Sequence, residues 1–273
     1  MDMPSFSTLS LTLVDHVAEV RLNRPEKSNA MSAAMWQEIR QVFTWIDATP
    51  AARVAILAGE GANFCAGIDL VMLGGIQQQI AQADGARSRE ALRGVILDLQ
   101  DCLNAIERCR KPVLAAIQGA CVGGGLDLVC CCDMRYAAPD AVFSIREIDL
   151  GMVADVGTLQ RLPRLIGEGM TRELAFTGRD VGADEALRLG LVNFKFEDFF
   201  RLTVEVRQMA QSIAAKSPLA IRGIKSVLNF RRDHSVADGL AHVADLNAAQ
   251  LLSGDLDECL AARREKRRPN FAD

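Results

Sequence analysis

Two acidic residues, Glu147 and Asp155, stand in an otherwise apolar stretch, and a third, Asp127, follows a run of glycines. Acidic side chains are rarely buried unless they are paired or take part in chemistry, because an ionised carboxylate loses its hydration inside a protein. Acids held in different environments can serve as a base and an acid at the same pH. A salt bridge to Arg146 or Arg161 is the plain alternative for either Glu147 or Asp155.

The glycine run Gly123-Gly124-Gly125 follows the buried strand Val113–Ile117 and opens a helix near Gly124. Free N–H groups at the start of a helix lie at the positive end of its dipole, where they can stabilise a developing negative charge. The run is neither the dinucleotide fingerprint G-x-G-x-x-G nor a P-loop, since no G-K-[ST] follows it. The alternative is that the glycines only let a helix pack closely on a strand.

A second candidate segment, Asn63 to Leu70, directly follows the buried strand Val54–Leu57. Its small residues let the backbone approach a ligand, and exposed amides there could donate hydrogen bonds. The alternative is a strand-to-helix turn that needs Gly67 for its geometry. The residues of this segment alone leave both explanations open.

The elements that would carry these segments are strands interleaved with helices, followed by helices alone. A helix capped by Ser32 and a long helix with an apolar stripe from Leu92 to Ile106 separate the early strands. From Leu159 onwards the pattern is almost wholly helical, so we predict an α/β body with a helical C-terminal part. Residues 74–88 are weakly patterned and indicate a mobile loop or an irregular helix. The predicted strands are Leu9–Val14, Val17–Leu22, Val54–Leu57, Val113–Ile117, Met134–Ala137 and Val142–Ile145.

The composition is that of a globular protein with a sizeable core. The chain has 273 residues, of which 49% are hydrophobic and 24% charged. A net charge of −4 argues against a general nucleic-acid binder, which would show a broad basic surface. The most apolar window, Val113 to Cys132, contains Gln118, Asp127 and several glycines, so it does not indicate a membrane span.

Cysteine usage and the chain ends bear on metal binding and location. The eight cysteines lack paired spacing, and none of the three histidines stands beside a cysteine, so we expect no metal site and reduced, buried thiols. The first twenty residues match neither a secretory signal nor a transit peptide, and the last three are not S-K-L. The expected location is the cytoplasm of a bacterium.

These segments, in this order, resemble the crotonase family of enoyl-CoA hydratases and isomerases over nearly the whole chain. The resemblance implies an α/β spiral of β-β-α repeats over residues 1–200 and a helical region over residues 201–273 that builds trimers or hexamers. It also implies an acyl-CoA thioester substrate and no separate cofactor, because the substrate carries coenzyme A. The matching motifs are Arg24–Met31, Phe64–Leu70, the triple glycine, Cys132–Arg135, Gln160–Pro163 and Glu265–Phe271.

The resemblance further implies positions for substrate binding. In the family, two backbone N–H groups form an oxyanion hole for the thioester carbonyl, and the matching residues here are Ile68 and Gly124. Such fixed donors stabilise the charge that builds on the oxygen when a proton is removed beside the thioester. Lys266 would face the CoA phosphates of a neighbouring subunit. The other positions that match CoA contacts are Lys27, Ser28, Ala30, Ala66, Gly67, Asp69 and Leu70.

The acids indicate the branch of the family. Hydratases usually carry glutamate where this chain has Asp127 and glycine where it has Asp155, and the segment from Glu147 to Pro163 is similar to that of dienoyl-CoA isomerases. Those enzymes of unsaturated fatty-acid β-oxidation convert a 3,5-diene to a 2,4-diene, removing a proton at C2 and adding one at C6. Three carboxylates in one apolar pocket cannot all ionise cheaply. We interpret Glu147 as the group at C2, Asp155 as the group at C6 and Asp127 as tuning Glu147.

Other functions stay open. A 2-enoyl-CoA hydratase would use Asp127 and Glu147 to hold a water, and a non-catalytic acyl-CoA-binding protein could share the fold. A haloacyl-CoA hydrolase with Asp155 as nucleophile would need a histidine nearby. All three histidines lie outside the motif segments. The sequence does not indicate the length of the acyl chain.

Overall fold

The computed structural model describes residues 2–80 and 84–273, and strands alternate with helices through the first two thirds of the chain. The strands are β1 (Leu9–Val14), β2 (Val17–Leu22), β3 (Val54–Gly59), β4 (Val113–Ile117), β5 (Ala120–Val122), β6 (Met134–Ala137), β7 (Val142–Ser144), β8 (Val181–Gly182) and β9 (Phe194–Lys195). The helices are α1 (Ala33–Ala48), α2 (Leu70–Ile80), α3 (Gly85–Arg108), α4 (Gly124–Cys130), α5 (Thr158–Arg161), α6 (Pro163–Ile166), α7 (Glu168–Thr177), α8 (Ala183–Leu189), α9 (Phe199–Ala214), α10 (Pro218–Phe230), α11 (Val236–Gln250) and α12 (Gly254–Glu265). Short 3₁₀ helices cover Pro25–Lys27 and Arg146–Leu150.

The strands form two sheets, with the orders β1-β2-β3-β4-β6-β9 and β5-β7-β8. The β1–β2 pair is an antiparallel hairpin, and every other pairing in the larger sheet is parallel. The chain passes from the larger to the smaller sheet twice, through β4–β5–α4 and then through β6–β7. This repeat confirms the predicted α/β spiral.

Residues of β3 alternate between two apolar cores, as the period of a strand requires. Ala55 and Leu57 belong to the core beneath α1 and α3, whereas Val54 and Ile56 pack with the apolar side chains of α9. Because both faces of β3 are covered, its apolar run is continuous rather than alternating. The predicted boundary after residue 200 lies inside α9 and stays a prediction.

Helices elsewhere largely follow the sequence pattern. Ser32 caps α1 by accepting a hydrogen bond from the Met35 amide, as expected. In the weakly patterned segment, α2 continues to Ile80 and α3 begins at Gly85, while residues 81–83 lie outside the described part of the chain. Over residues 2–80 and 84–273, no helix is both long and apolar enough to cross a membrane.

Candidate active site

Backbone hydrogen bonds join the two N-terminal motif segments. The Ala66 amide donates to the Ser28 carbonyl at 2.9 Å, the Met31 amide donates to the Gly67 carbonyl at 2.7 Å, and the Asp69 amide donates to the Met31 carbonyl at 3.1 Å. The last two bonds form a parallel bridge between Met31 and Ile68. Since Gly67 and Asp69 face Met31, the N–H group of Ile68 points to the opposite side.

The amide of Gly124 lies beside the amide of Ile68. A methyl group built on Gly124 would lie 3.7 Å from the Ile68 nitrogen, and one built on Gly67 would lie 3.3 Å from the Gly124 nitrogen. Within the described residues, neither amide donates a backbone hydrogen bond. The structure therefore brings together the two N–H groups that the sequence predicts as an oxyanion hole.

The three adjacent glycines meet different requirements. Gly123 has a φ of 55°, a conformation that favours glycine, and a methyl group there would lie 3.4 Å from Glu147 Oε1. A methyl group on Gly125 would lie 2.6 Å from the Cys65 carbonyl oxygen, so this glycine serves close packing. Close packing thus explains Gly125, whereas the role of the Gly124 amide in stabilising negative charge stays a prediction.

Asp127 and Glu147 form a buried acidic pair. Asp127 is 0% exposed, and its Oδ1 accepts a hydrogen bond from the Thr158 amide at 2.5 Å. Asp127 Oδ2 and Glu147 Oε2 are buried without a donor group of the described chain beside them, but the two carboxyls are close enough for a hydrogen bond to each other. One proton shared between these oxygens would satisfy both.

Burial dominates the acidity of this pair. It raises the pKa of Asp127 to about 6, even though the hydrogen bond from Thr158 lowers it. Burial also raises the pKa of Glu147 to about 7, and the facing charge of Asp127 adds to this effect. The pair therefore titrates near neutral pH, and at least one of its carboxyls is protonated below that range.

Asp155 lies in the same cavity as Glu147 but in a different environment. Its side chain is exposed to solvent, partial burial raises its pKa, and its backbone carbonyl accepts a hydrogen bond from Gln100 Nε2 at 2.6 Å. The salt-bridge alternative does not hold for either acid. Arg146 pairs with Asp149 and Asp180, and Arg161 pairs with Glu107.

These groups line one apolar cavity of about 310 Å³. Ile68, Gly124, Glu147 and Asp155 contribute to its wall, and the rest of the wall is apolar. The apolar residues are Trp36, Leu73, Ile76, Leu92, Val95, Ile96, Leu99, Met152, Val153 and Val156. The apolar stripe of α3 that the sequence predicts thus partly lines a pocket, and its periodicity could not have distinguished a pocket from a core.

The residues predicted to bind CoA gather around the joined segments, with one exception. Lys27 and Ala66 are exposed, whereas Asp69 accepts a hydrogen bond from Arg24 Nη1 at 2.9 Å. That ion pair links the two segments and lowers the pKa of Asp69. Lys266 directly follows α12, is exposed and does not line the apolar cavity.

Asn29 holds the first segment in place, a role that we did not predict. It is fully buried, and its Nδ2 donates to the carbonyls of Glu60 and Asn63 at 2.9 Å and 2.8 Å. Asn29 has a φ of 55°, a conformation that asparagine tolerates better than most residues do. The residue type at this position was the signal that the sequence offered. In the part of the chain that the structure describes, no three Cys, His, Asp or Glu side chains are grouped to hold a metal.

The chain is similar along its full length to dienoyl-CoA isomerases. It is 45% identical to the peroxisomal Delta(3,5)-Delta(2,4)-dienoyl-CoA isomerase of Arabidopsis thaliana, and the match covers 100% of this chain and 99% of that protein. It is 43% identical to the mitochondrial Delta(3,5)-Delta(2,4)-dienoyl-CoA isomerase of Homo sapiens, over 96% of this chain and 81% of that protein.

The locations of these relatives contradict the expected cytoplasmic location, which is therefore wrong. The Arabidopsis protein is peroxisomal and the human protein is mitochondrial. A compartment address is read by a receptor and does not shape the fold.

Two further comparisons concern the whole fold. The family model for enoyl-CoA hydratase/isomerase matches residues 13–273. The crystal structure of an enoyl-CoA hydratase from Bacillus anthracis superposes with a TM-score of 0.88 at 32% identity, covering 97% of this chain and 99% of that one. With the relatives above, these matches show that the chain belongs to the enoyl-CoA hydratase/isomerase family.

Proposed function

We propose that this protein is a dienoyl-CoA isomerase of unsaturated fatty-acid β-oxidation, which converts 3,5-dienoyl-CoA to 2,4-dienoyl-CoA. The observation that carries the proposal is the position of Asp155, which lines the same apolar cavity as Glu147 and the amides of Ile68 and Gly124. A hydratase acts only at C2 and C3, whereas this isomerisation needs a second proton-transfer group further along the acyl chain. The similarity to named dienoyl-CoA isomerases supports the same reaction.

The proposed mechanism uses each group once. The thioester oxygen accepts hydrogen bonds from the Ile68 and Gly124 amides, which stabilise its negative charge as Glu147 removes a proton from C2. The C2–H electron pair delocalises through the diene as an extended dienolate. Asp155, in its protonated form, then donates a proton to C6, and the 2,4-diene conjugated with the thioester is formed.

Asp127 is proposed to tune Glu147 rather than to contact the substrate. A general base works best when its pKa is near the working pH, and the pKa of Glu147 is raised to about 7. Burial is the main cause, and the charge of Asp127 contributes to it. Thr158 fixes Asp127 from the other side through its amide.

The geometry supports a hydratase less well. Two acids of a hydratase must hold a water between them, but Asp127 Oδ1 is bound by the Thr158 amide, and Oδ2 is buried beside Glu147. Hydration takes place only at C2 and C3, so it would leave Asp155 without a substrate atom to act on. A non-catalytic CoA-binding protein would need neither acid.

The remaining parts of the proposal concern CoA and assembly. We expect the segments containing Lys27 to Ala30 and Ala66 to Leu70 to bind CoA, with Lys266 facing CoA on a neighbouring subunit, and no metal or separate cofactor. Helix α11 supports a trimer or hexamer because no residue of it is buried in the single chain. Its Val236 and Leu240 are 81% and 64% exposed.

An ultraviolet assay of the purified protein tests the function directly. With a 3,5-dienoyl-CoA, absorbance of the conjugated 2,4-dienoyl thioester should appear, whereas a 2-enoyl-CoA should lose its absorbance slowly or not at all. Faster hydration of the 2-enoyl-CoA than isomerisation of the diene would contradict the proposal. No turnover of either substrate would leave only the binding function.

A further inference from the structure

The proposed reaction creates a proton imbalance inside the enzyme, and the inference below rests on that proposed function. Each turnover leaves Glu147 with one proton more and Asp155 with one proton fewer than before. The substrate gains and loses one proton, so the product carries no net change. Before the next turnover, Glu147 must release its proton and Asp155 must receive one.

Glu147 and Asp155 differ in their access to solvent. Glu147 Oε2 is buried beside Asp127, and the apolar cavity is the only one of the two site cavities that Glu147 lines within the described residues. An acyl chain in that cavity would exclude water from it. Asp155, in contrast, also lines a second cavity of about 600 Å³.

This second cavity, here the polar cavity, is lined mainly by hydrogen-bonding and charged side chains, among them Gln100, Asn104, Glu107, Gln160 and Arg161. Arg161 Nη2 donates to Glu107 at 2.7 Å and to Asn104 Oδ1 at 2.7 Å. Arg232 also forms an ion pair with Glu107. A roomy cavity with several polar partners holds water, whereas an apolar one does not.

Asp155 and Val156 are the two described residues that line both cavities. Gln100, on α3, binds the backbone carbonyl of Asp155 from the polar side. Asp155 therefore lies where the two cavities adjoin, and its side chain is exposed. A proton could reach it from water in the polar cavity without passing through the apolar cavity.

We propose that Asp155 is reprotonated from water in the polar cavity, while Glu147 gives its proton to solvent after the product leaves. Asp155 takes one proton from hydronium or water there, and Glu147 releases one, so the cycle balances without another reactant. The proton that reaches C6 then comes from solvent and is not the one removed from C2. Polar residues of this cavity would affect the resetting of the enzyme and not the chemical step.

Isotope labelling tests the origin of the proton. In D2O, unlabelled 3,5-dienoyl-CoA should give 2,4-dienoyl-CoA with one deuterium at C6, and a substrate deuterated at C2 should give a product without deuterium at C6 in H2O. Transfer of the C2 label to C6 would overturn the inference while leaving the isomerase function intact. Absence of any 2,4-diene would overturn both.

Kinetics of a variant test the route. Asn104→Leu with Gln160→Leu makes the polar cavity more apolar at residues that do not line the apolar cavity. We expect the single-turnover rate to be retained and kcat to fall by about tenfold, less than the ~100-fold or greater loss caused by removing a general acid. A burst of one product per site should therefore precede the steady state.

The matched control is Gln41→Leu, an exposed position on α1 that lines neither cavity. It should leave kcat unchanged. An unchanged kcat in the Asn104→Leu, Gln160→Leu variant would overturn the route through the polar cavity. A parallel fall of the single-turnover rate and kcat would also overturn it, because the residues would then act on the chemical step.

Discussion

At the scale of single residues, the three acids occupy three environments. Asp127 is fully buried and bound by an amide, Glu147 is partly buried beside it, and Asp155 is exposed at the edge of the apolar cavity. The same chemical group thus has three different proton affinities. Carboxyls in different environments can serve as a base and an acid at one pH, as the proposed mechanism requires of Glu147 and Asp155.

Replacing Asp155 by asparagine should abolish isomerisation and spare binding. Asn keeps the size and hydrogen-bonding shape but cannot supply a proton to C6. Isomerase activity should therefore fall by about 10,000-fold or more, the top of the range that a general acid contributes. Deuterium exchange at C2 should continue, because Glu147 is unchanged. Stopped-flow isomerisation, CoA-ester binding and mass spectrometry provide the three measurements.

The control for this substitution is Asp140→Asn, an exposed position in the turn between β6 and β7, which should have wild-type activity. Near-normal isomerisation by Asp155→Asn would reject the assigned role at C6. Hydration of a 2-enoyl-CoA would then be the better explanation of the site.

The pH profile should report the pair of Glu147 and Asp127. Glu147 acts as a base only when deprotonated, so kcat/KM should rise with pH through its pKa of about 7 and fall again once Asp155 loses the proton that it donates to C6. Asp127→Asn removes the neighbouring charge and lowers the pKa of Glu147. In this variant, the rise of kcat/KM with pH should therefore occur at lower pH than in the wild type, by roughly one unit or more. A rise that stays in place or moves to higher pH would show that Asp127 does not tune the base.

At the scale of elements, the candidate site depends on where the loop before α2, which contains Ile68, meets the start of α4. The bridge between Met31 and Ile68 turns the Ile68 amide toward the amide of Gly124. Hydrogen bonds from Arg24 and Asn29 hold the segment that contains Met31 in place. In the proposed oxyanion hole, each of the two segments supplies one donor, so neither would suffice alone. The relative position of the two elements is therefore the property that substitutions should disturb.

Gly124→Val should damage activity far more than stability. A Cβ at this position would lie 2.5 Å from Met31 Cε, which is the flexible end of a side chain and can move, but the new methyl groups would also crowd the Ile68 amide. Loss of one oxyanion donor costs about 100–1000-fold in kcat. Activity and thermal unfolding should be measured beside Gly169→Val, which has open space around it on α7. Wild-type activity of Gly124→Val would place the oxyanion hole elsewhere.

At the scale of the whole molecule, the C-terminal part divides into a helix that packs and helices that remain uncovered. The apolar stripe of α9 lies on the larger sheet, and Arg53 on the body donates to the Phe271 carbonyl near the C-terminus at 2.8 Å. In contrast, α11 packs against α10 and buries none of its own residues. Exposed apolar side chains of this kind are typical of a protein–protein interface.

Light scattering at micromolar concentration should therefore show a trimer or a hexamer. Leu252, two residues after the end of α11, is 93% exposed, and Leu252→Asp should weaken the assembly by placing a charge in the proposed interface. Val14→Asp, 55% exposed at the end of β1, is the control that should keep the assembly intact. A wild-type monomer would contradict the proposed role of α11.

Much of the architecture could be predicted because it depends on local patterns. The period-two and continuous apolar runs located strands β1 to β4, and Ser32 marked the start of α1. The types and order of the acids and glycines were sufficient to indicate the family and its branch. The cytoplasmic location was predicted wrongly, as the peroxisomal and mitochondrial relatives show.

The tertiary structure alone decided which side chains meet. Periodicity shows that Leu92 and Val95 share a face of α3, but a cavity and a core present the same pattern to the sequence. The pairing of Asp69 with Arg24, the Thr158 amide on Asp127 and the Gln100 contact with Asp155 all join residues at least 31 positions apart. Their pKa values and access to water depend on burial, which arises only when distant elements pack together.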